Sequence, residues 1–191
     1  GARVRVIAAN IDDSVMARLP SSVEVTRVGS AQQMRAATLA QVRGADALVM
    51  TAAVADFRPE ATHASKMKKD PTTVDAPTLR LVRNPDILSE VGHGPHRPPL
   101  VIGFAAETGT DEEILAYGAE KAARKGADYI ALNRVGAGVG FGDVPNDIRL
   151  LDAARRIVGR YPGPKADVAA GTSGQGAASL DSLQRRVTRL S

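Results

Sequence analysis

The chain has 191 residues, with 25 Lys and Arg against 21 Asp and Glu, a formal charge of +4, 3% aromatic residues, no Trp and no Cys. That length suits one α/β domain with a real core, and the missing Cys excludes disulfides, thiolate catalysis and zinc–thiolate sites while remaining compatible with a reducing compartment. The positive excess is mild and dispersed, which suits an anionic small molecule as well as a nucleic acid, but the scarcity of stacking side chains argues against a single-strand nucleic-acid platform. No apolar run approaches the ~20 residues that span a bilayer, and no signal peptide is visible. A cytoplasmic protein without membrane or nucleic-acid partners is expected. His63, His93 and His96 all lie in polar or Pro- and Gly-rich stretches; solvation, not metal binding, is their ordinary fate, and no metal ligand is assigned.

Residues 4–9 (VRVIAA) read as a strand, followed by a loop with Asp12, Asp13 and Pro20. Residues 23–28 alternate in polarity and predict a second, more exposed strand. Ser30 is a natural N-cap for a helix over 31–43, stopped by Gly44. Residues 47–50 (ALVM) form a buried strand. The segment 57–78, with Pro59, Pro71 and Pro77, reads as a long surface loop or flap, a feature that is usually functional. A short strand over 79–82 is broken by Asn84-Pro85, and Pro85 suits the first turn of a helix over 85–91. Residues 100–104 (LVIGF) are a buried strand. Asp111 is expected to cap a helix over 112–125, which has acids in its first turn, bases in its last and Gly126 as its stop. Residues 129–132 (YIAL) are buried, and 147–151 pair with 156–158 as a hairpin over 152–155. From Gly171 onward the composition turns flexible, so the expected division is a domain over 1–170 and a poorly ordered tail over 171–191.

Short apolar strands alternating with helices predict a mostly parallel, Rossmann-like sheet with helices on both faces. Ligands then bind at the carboxyl ends of the strands. Asp56 follows the 47–50 strand across small residues, including Ala52, that let a flat ligand approach the backbone; its carboxylate suits a ribose hydroxyl or a base amino group as well as its own turn. Lys66, Lys68 and Lys69 could close over a triphosphate, although lysines in a loop are more often solvated. Lys121 and Lys125 share one helix face, where Lys is favoured in any case. The turn of Asn84, Pro85, Asp86, Ile87 and Leu88 has free backbone N–H groups for an anion or base edge, or is a plain cap. Phe104 could stack on a base or simply fill the core. The loop 138–146 (GVGFGDVPN) lacks the spacing of a dinucleotide fingerprint and presents Phe141 and Asn146.

AAVADFRP, KMKK, LVRNPDIL, VIGFAAET, KAARKGADYIALN and the later Asn146-Asp147, with GPK at 163–165 in support, make a series that resembles phosphopantothenoylcysteine synthetase (phosphopantothenate–cysteine ligase). The closer likeness is to the synthetase half of the bifunctional bacterial coenzyme A biosynthesis protein, over about residues 1–170. The resemblance implies a Rossmann-like fold and a homodimer with contacts after the AAVADFRP strand. It also implies a reaction in which CTP and Mg²⁺ convert the 4′-phosphopantothenate carboxylate into an acyl-cytidylate that the cysteine amine attacks. By the same resemblance Ala52, Asp56, Lys66, Phe104, Lys121 and Lys125 contact the nucleotide. Pro85, Asp86, Ile87 and Leu88 hold the base edge through their backbone, and Lys66 also stabilises charge on the α-phosphate. A flavin-dependent decarboxylase domain accompanies the synthetase in such bifunctional proteins. The family pattern starts with a strand and a Gly-rich turn that have no counterpart here, and the sequence after Ala170 departs from it. On that footing the first strand of the sheet is expected to be absent and the chain alone weakly active or inactive, with a non-catalytic nucleotide-binding or dimerising remnant as the alternative. A dinucleotide reductase, suggested by the α/β pattern alone, lacks its fingerprint, and a nucleic-acid module rests only on the pI of about 9.7.

Overall fold

A computed structural model describes residues 2–61, 65, 76, 78–136, 146–164, 167–169 and 172. In chain order the elements are β1 (Arg5–Ala9), α1 (Asp13–Met16), β2 (Glu24–Val28), α2 (Ala31–Gln41), β3 (Ala47–Met50), β4 (Phe57–Pro59) and β5 (Leu81–Arg83). They continue with α3 (Ile87–Gly92), β6 (Leu100–Glu107), α4 (Asp111–Lys125), β7 (Tyr129–Arg134), β8 (Asn146–Asp152) and β9 (Ile157–Gly163). Two compact units result, one formed by Gly1–Arg35 with Ala53–Asp86, the other by Ala36–Ala52 with Ile87–Ser191.

The second unit holds a five-stranded sheet in the order β3-β6-β7-β8-β9. β3 runs parallel to β6 and β6 parallel to β7, whereas β8 and β9 add on antiparallel. The expected α/β class and parallel centre are present, and the predicted hairpin supplies the antiparallel edge. Alternation of side chains across β6 and β7 builds two cores. Val101, Ala105, Ile130 and Leu132 face α3 and α4 and pack on Leu88, Ile114 and Ala122. Leu100, Ile102 and Ala131 face the other way, with Ile148, Leu150 and Val168. Strands covered on both faces read as continuous apolar runs, which is why 100–104 and 129–132 stand out in the sequence. β6 continues three residues past the expected end, because Ala105, Ala106 and Glu107 keep their pairing with Leu132, Asn133 and Arg134.

Thr110, not Asp111, caps α4. Its side chain accepts from the Glu113 backbone N–H, and the Glu113 carboxylate accepts from the Thr110 backbone N–H. This reciprocal arrangement needs an acid three residues after the cap, and Asp111 stands one position too late for it. As the first helical residue Asp111 instead takes Arg134 at 3.2 Å and Arg149 at 3.0 Å, and so ties the start of α4 to β7 and β8. Alongside it Asp147 is held by Arg160 through contacts of 2.6 to 3.2 Å. The Arg149 hydrogen bond holds the Asp111 carboxyl below its ordinary value, and the Arg160 hydrogen bond does the same for Asp147, in each case against a smaller opposing effect of burial. At the far end of α4, Gly126 adopts the left-handed conformation at φ 62°. There α3 and α4 meet backbone to backbone: a Cβ on Gly92 would overlap the Lys125 carbonyl oxygen, and one on Gly126 would lie 2.7 Å from the Gly92 carbonyl oxygen.

In the first unit β1 and β2 form a parallel pair, from Arg5↔Glu24 to Ala9↔Val28. The short α1 occupies what reads in the sequence as loop, capped by the Asp12 carboxylate on the Ser14 N–H. Ser30 caps α2 as expected, its hydroxyl 3.2 Å from the Gln33 N–H, while the Gln33 amide oxygen returns to the Gly29 N–H at 2.7 Å. β4 pairs antiparallel with β5, Phe57 opposite Arg83 and Pro59 opposite Leu81. The predicted flap therefore opens as a strand, and its partner begins two residues later than the expected 79–82. Most of the flap from residue 62 to 75, the loop 137–145 with Phe141, and the tail from 173 lie outside the described residues.

Two outcomes follow. Gly92→Ala is expected to destabilise the fold by about 2–3 kcal/mol through overpacking against backbone that has no room to yield, read from urea unfolding; an unchanged midpoint would refute the close approach. Asp111 and Asp147 have depressed folded values, so their contribution is present above the ordinary aspartate value of 3.8 and is lost as pH falls below it through the folded values. Arg149→Met, which removes the main cause at Asp111, is expected to move acid unfolding to higher pH, followed by circular dichroism; a transition at the original pH would contradict the assignment.

Candidate functional site

Phe104 lies mid-strand in β6, half-buried, on the face directed away from α4. It is not at the strand end, since pairing runs on to Glu107. By the alternation of β7 and β8, Asn133 and Asn146 lie on the same face. Asn133 is only 4% exposed, and its Oδ1, like that of Asn146, is buried with no hydrogen-bond partner among the described residues. A buried amide oxygen left unpaired costs roughly 1–3 kcal/mol, so two on one face call for a donor such as a ligand hydroxyl or amino group, or ordered water. Asn146 opens β8 and is not a loop residue. Sequence reading did not single out Asn133, although a polar residue closing the apolar run YIAL was the available signal.

On the opposite face Lys121 reaches the carboxyl end of β6, where its Nζ is 3.3 Å from the Glu107 carboxylate; both side chains are about one-quarter exposed. Lys125 is half-buried in the last turn of α4. The ordinary cap interaction expected of a lysine here is thus replaced, for Lys121, by a side-chain partner at the ligand end of a strand. Phe104 and Lys121 sit on different faces, so a ligand touching both would have to cross the strand ends. Ile87 and Leu88 are buried at 2% and 8% exposure, with Leu88 filling the space left by Gly103. Their side chains are committed to the core, and backbone groups alone are left to meet a ligand. Ala52 is exposed in the segment that follows β3.

In the first unit the segment around Asp56 is held by hydrogen bonds to the following strand pair. Asn84 Nδ2 donates to the Ala55 carbonyl at 2.8 Å, and the Asn84 backbone N–H donates to the Asp56 carbonyl at 2.8 Å. Arg58 Nη1 donates to the Arg83 carbonyl at 2.7 Å and to Asn84 Oδ1 at 3.2 Å. With the Gln32 amide turned so that its oxygen faces the guanidinium, it accepts from Nε and Nη2 of Arg58. The Asp56 carboxylate itself is exposed and has no hydrogen bond among the described residues, leaving it open to a ligand. Pro85 is half-buried and Asp86 exposed, both ahead of α3 and not in it. Lys66, Lys68 and Lys69 lie outside the described residues. Among those described, no cluster of three or more His, Cys, Asp or Glu could hold a metal ion, and no helix is long and apolar enough to cross a membrane.

The comparisons with known proteins bear on this arrangement. The coenzyme A biosynthesis bifunctional protein CoaBC of Mycobacterium tuberculosis is 41% identical over 158 residues, covering 79% of this chain and 36% of the relative. That of Vibrio parahaemolyticus is 38% identical over 152 residues, again 79% of this chain and 36% of the relative. The chain thus spans about a third of the length of the curated relatives it matches. The crystal structure of the C-terminal domain of a coenzyme A biosynthesis bifunctional protein CoaBC superposes with a TM-score of 0.69 at 27% identity, covering 95% of this chain and 78% of that one. The DNA/pantothenate metabolism flavoprotein of Streptococcus pneumoniae, at 13% identity and a TM-score of 0.65 over 100% of this chain and 82% of that one, shares the fold. With the family profile matching residues 1–172, the chain belongs to the DNA/pantothenate metabolism flavoprotein C-terminal domain family, the phosphopantothenoylcysteine synthetase part of CoaBC proteins.

Proposed function

We propose that this chain is the CTP-dependent ligase of coenzyme A biosynthesis that joins 4′-phosphopantothenate to cysteine. The observation carrying the reading is the family match over residues 1–172, and the exposed Asp56 carboxylate and the Lys121 ammonium at the end of β6 support it. A free carboxylate is a poor acyl donor. In the first step its oxygen attacks the α-phosphorus of CTP and the bond to the β-phosphate breaks, so that pyrophosphate leaves with that electron pair. In the second the cysteine amine attacks the acyl carbon, CMP leaves, the amine proton is lost and an amide remains. Lys66, with Lys121 and Lys125, would neutralise phosphate charge in the first step; Asp56 would accept from a ribose hydroxyl or base amino group; Phe104 and Asn133 would line the base or sugar. Mg²⁺, when bound, screens the triphosphate. Such an ion is ordinarily carried by the nucleotide's own phosphates and water, with one or two carboxylates at most.

The active form is proposed to be a homodimer. Its support is the β4–β5 ribbon, on which Phe57 is 50% and Leu81 55% exposed, with Pro59 beside them on the same face and Leu79 nearby; a two-stranded ribbon with an exposed apolar face is marginal alone. A flavin-dependent decarboxylase domain in the same polypeptide is part of the same proposal, supported by relatives that are named as bifunctional, and a cytoplasmic location is proposed with it.

Calorimetry with CTP and magnesium, using ATP as the control, tests the nucleotide. CTP is expected to bind more tightly than ATP, and Lys66→Ala and Lys121→Ala are each expected to weaken it about tenfold, the size of a lost charge-assisted contact. Pyrophosphate release that requires phosphopantothenate, with amide formation that also requires cysteine, would complete the case. Binding without turnover would leave a nucleotide-binding remnant, and no binding by the folded chain would remove the reading.

A further inference from the structure

We propose that Arg58 and Asn84 are positioning residues that lock the segment 55–58 to the segment 83–86 and thereby set the discrimination between nucleobases. The proposal rests on the nucleotide reading above for its ligand, and on geometry within one compact unit for its mechanism.

An arginine beside an exposed aspartate in a nucleotide enzyme invites assignment as a phosphate ligand. The hydrogen bonds argue otherwise. Nη1 serves both the Arg83 carbonyl and Asn84 Oδ1, while Nε and Nη2 serve the Gln32 amide oxygen. Four of the five guanidinium hydrogens are committed within the protein, and the planar fork is oriented by them. Asn84 is committed equally. Its Oδ1 accepts from Arg58, its Nδ2 donates to Ala55 and its backbone N–H donates to Asp56. The carbonyls of Ala55, Asp56 and Arg83 are thereby all occupied, and these bonds extend the β4–β5 pairing of Phe57–Pro59 with Leu81–Arg83 to the flanking peptides on either side. The Asp56 carboxylate, exposed and without such a bond among the described residues, lies at the edge of this frame.

A base edge is read by donors and acceptors a few ångströms apart, and selectivity against the wrong base arises because a rigid site leaves mismatched groups unpaired. If the two segments shifted relative to one another they would adapt to any base, and discrimination would fall together with the affinity for the right one. Lysine cannot replace Arg58, because an ammonium is a point charge without the fork.

The test compares the unsubstituted chain with Arg58→Lys and Asn84→Ala. Amide hydrogen exchange without nucleotide, read by mass spectrometry, is expected to quicken in both 53–60 and 81–88 in each variant, with the thermal midpoint of the fold unchanged. Calorimetry with CTP and with ATP, in magnesium, is expected to show CTP weakened about tenfold and the CTP-to-ATP preference reduced by a similar factor, corresponding to one or two charge-assisted hydrogen bonds. Exchange that quickens in only one segment, or CTP affinity and preference that stay as in the unsubstituted chain, would overturn the proposal. Should Asn84→Ala fail to fold, Arg58→Lys decides alone. If the unsubstituted chain binds neither nucleotide, the functional reading falls and the selectivity claim with it, while the exchange data still settle whether the two segments are locked.

Discussion

Burial of β6 on both faces is the constraint from which the larger unit follows. Its side chains alternate between two separate cores, with Val101 and Ala105 against α3 and α4 and Leu100 and Ile102 against the antiparallel hairpin and Val168. Both β3 and β7 pair with it in parallel, and parallel pairing demands crossover connections, which here carry α3 and α4. Asp128 supports the same strand at its start, where its carboxylate accepts from the Val101 N–H and from Arg97, each at 2.7 Å. The amino end is thus pinned and both faces are covered, while at the carboxyl end Glu107 holds Lys121 and Asn133 on the adjacent strand has an acceptor unpaired among the described residues.

Polar groups are used in two contrasting ways. Around Arg58 and Asn84 nearly every donor has its acceptor, which makes a rigid frame from two short extended pieces that have little apolar packing of their own. Around Asn133 and Asn146 buried acceptors lack donors among the described residues, a cost a fold bears where something else supplies the partner. The saturated network fixes geometry and the unsaturated pair asks for a ligand or water. Residue type alone does not distinguish them, since both contain asparagines close to the ends of strands.

Much of the architecture was legible in the sequence because its physics is local. The strands around 47–50, 100–104 and 129–132 show as apolar runs, and α4 shows through acids at its start, bases at its end and Gly126 beyond. What escaped was non-local or small. β4 is three residues long, contains Pro59, and exists because Arg83, Val82 and Leu81 return from beyond a long loop to pair with it. Ala105 and Ala106 carry no bulky signal, yet β7 keeps them in the sheet, so Phe104 moved from a strand end to a strand interior. Thr110 displaced Asp111 as cap because Glu113 stands at the spacing a reciprocal cap requires. Arg58 carries no signal of its own in the sequence, because its partners at 32, 83 and 84 come together only in the fold. The assignments of Asp56, Lys121 and Lys125 to a nucleotide came from resemblance; the structure adds that the Asp56 carboxylate is exposed and that Lys121 is paired with Glu107 at the end of β6.

The meeting of Gly92 with Gly126 has a mechanical consequence. Packed helices ordinarily slide past one another on a layer of side chains that can change rotamer. Here the ends of α3 and α4 touch through their peptide groups, so that layer is missing at this one contact and a shear there meets backbone directly. The two helices must translate together. A displacement of Leu88 in the first turn of α3 is passed on to the helix that carries Lys121 and Lys125, which makes the pair a single lever and not two independently adjustable supports.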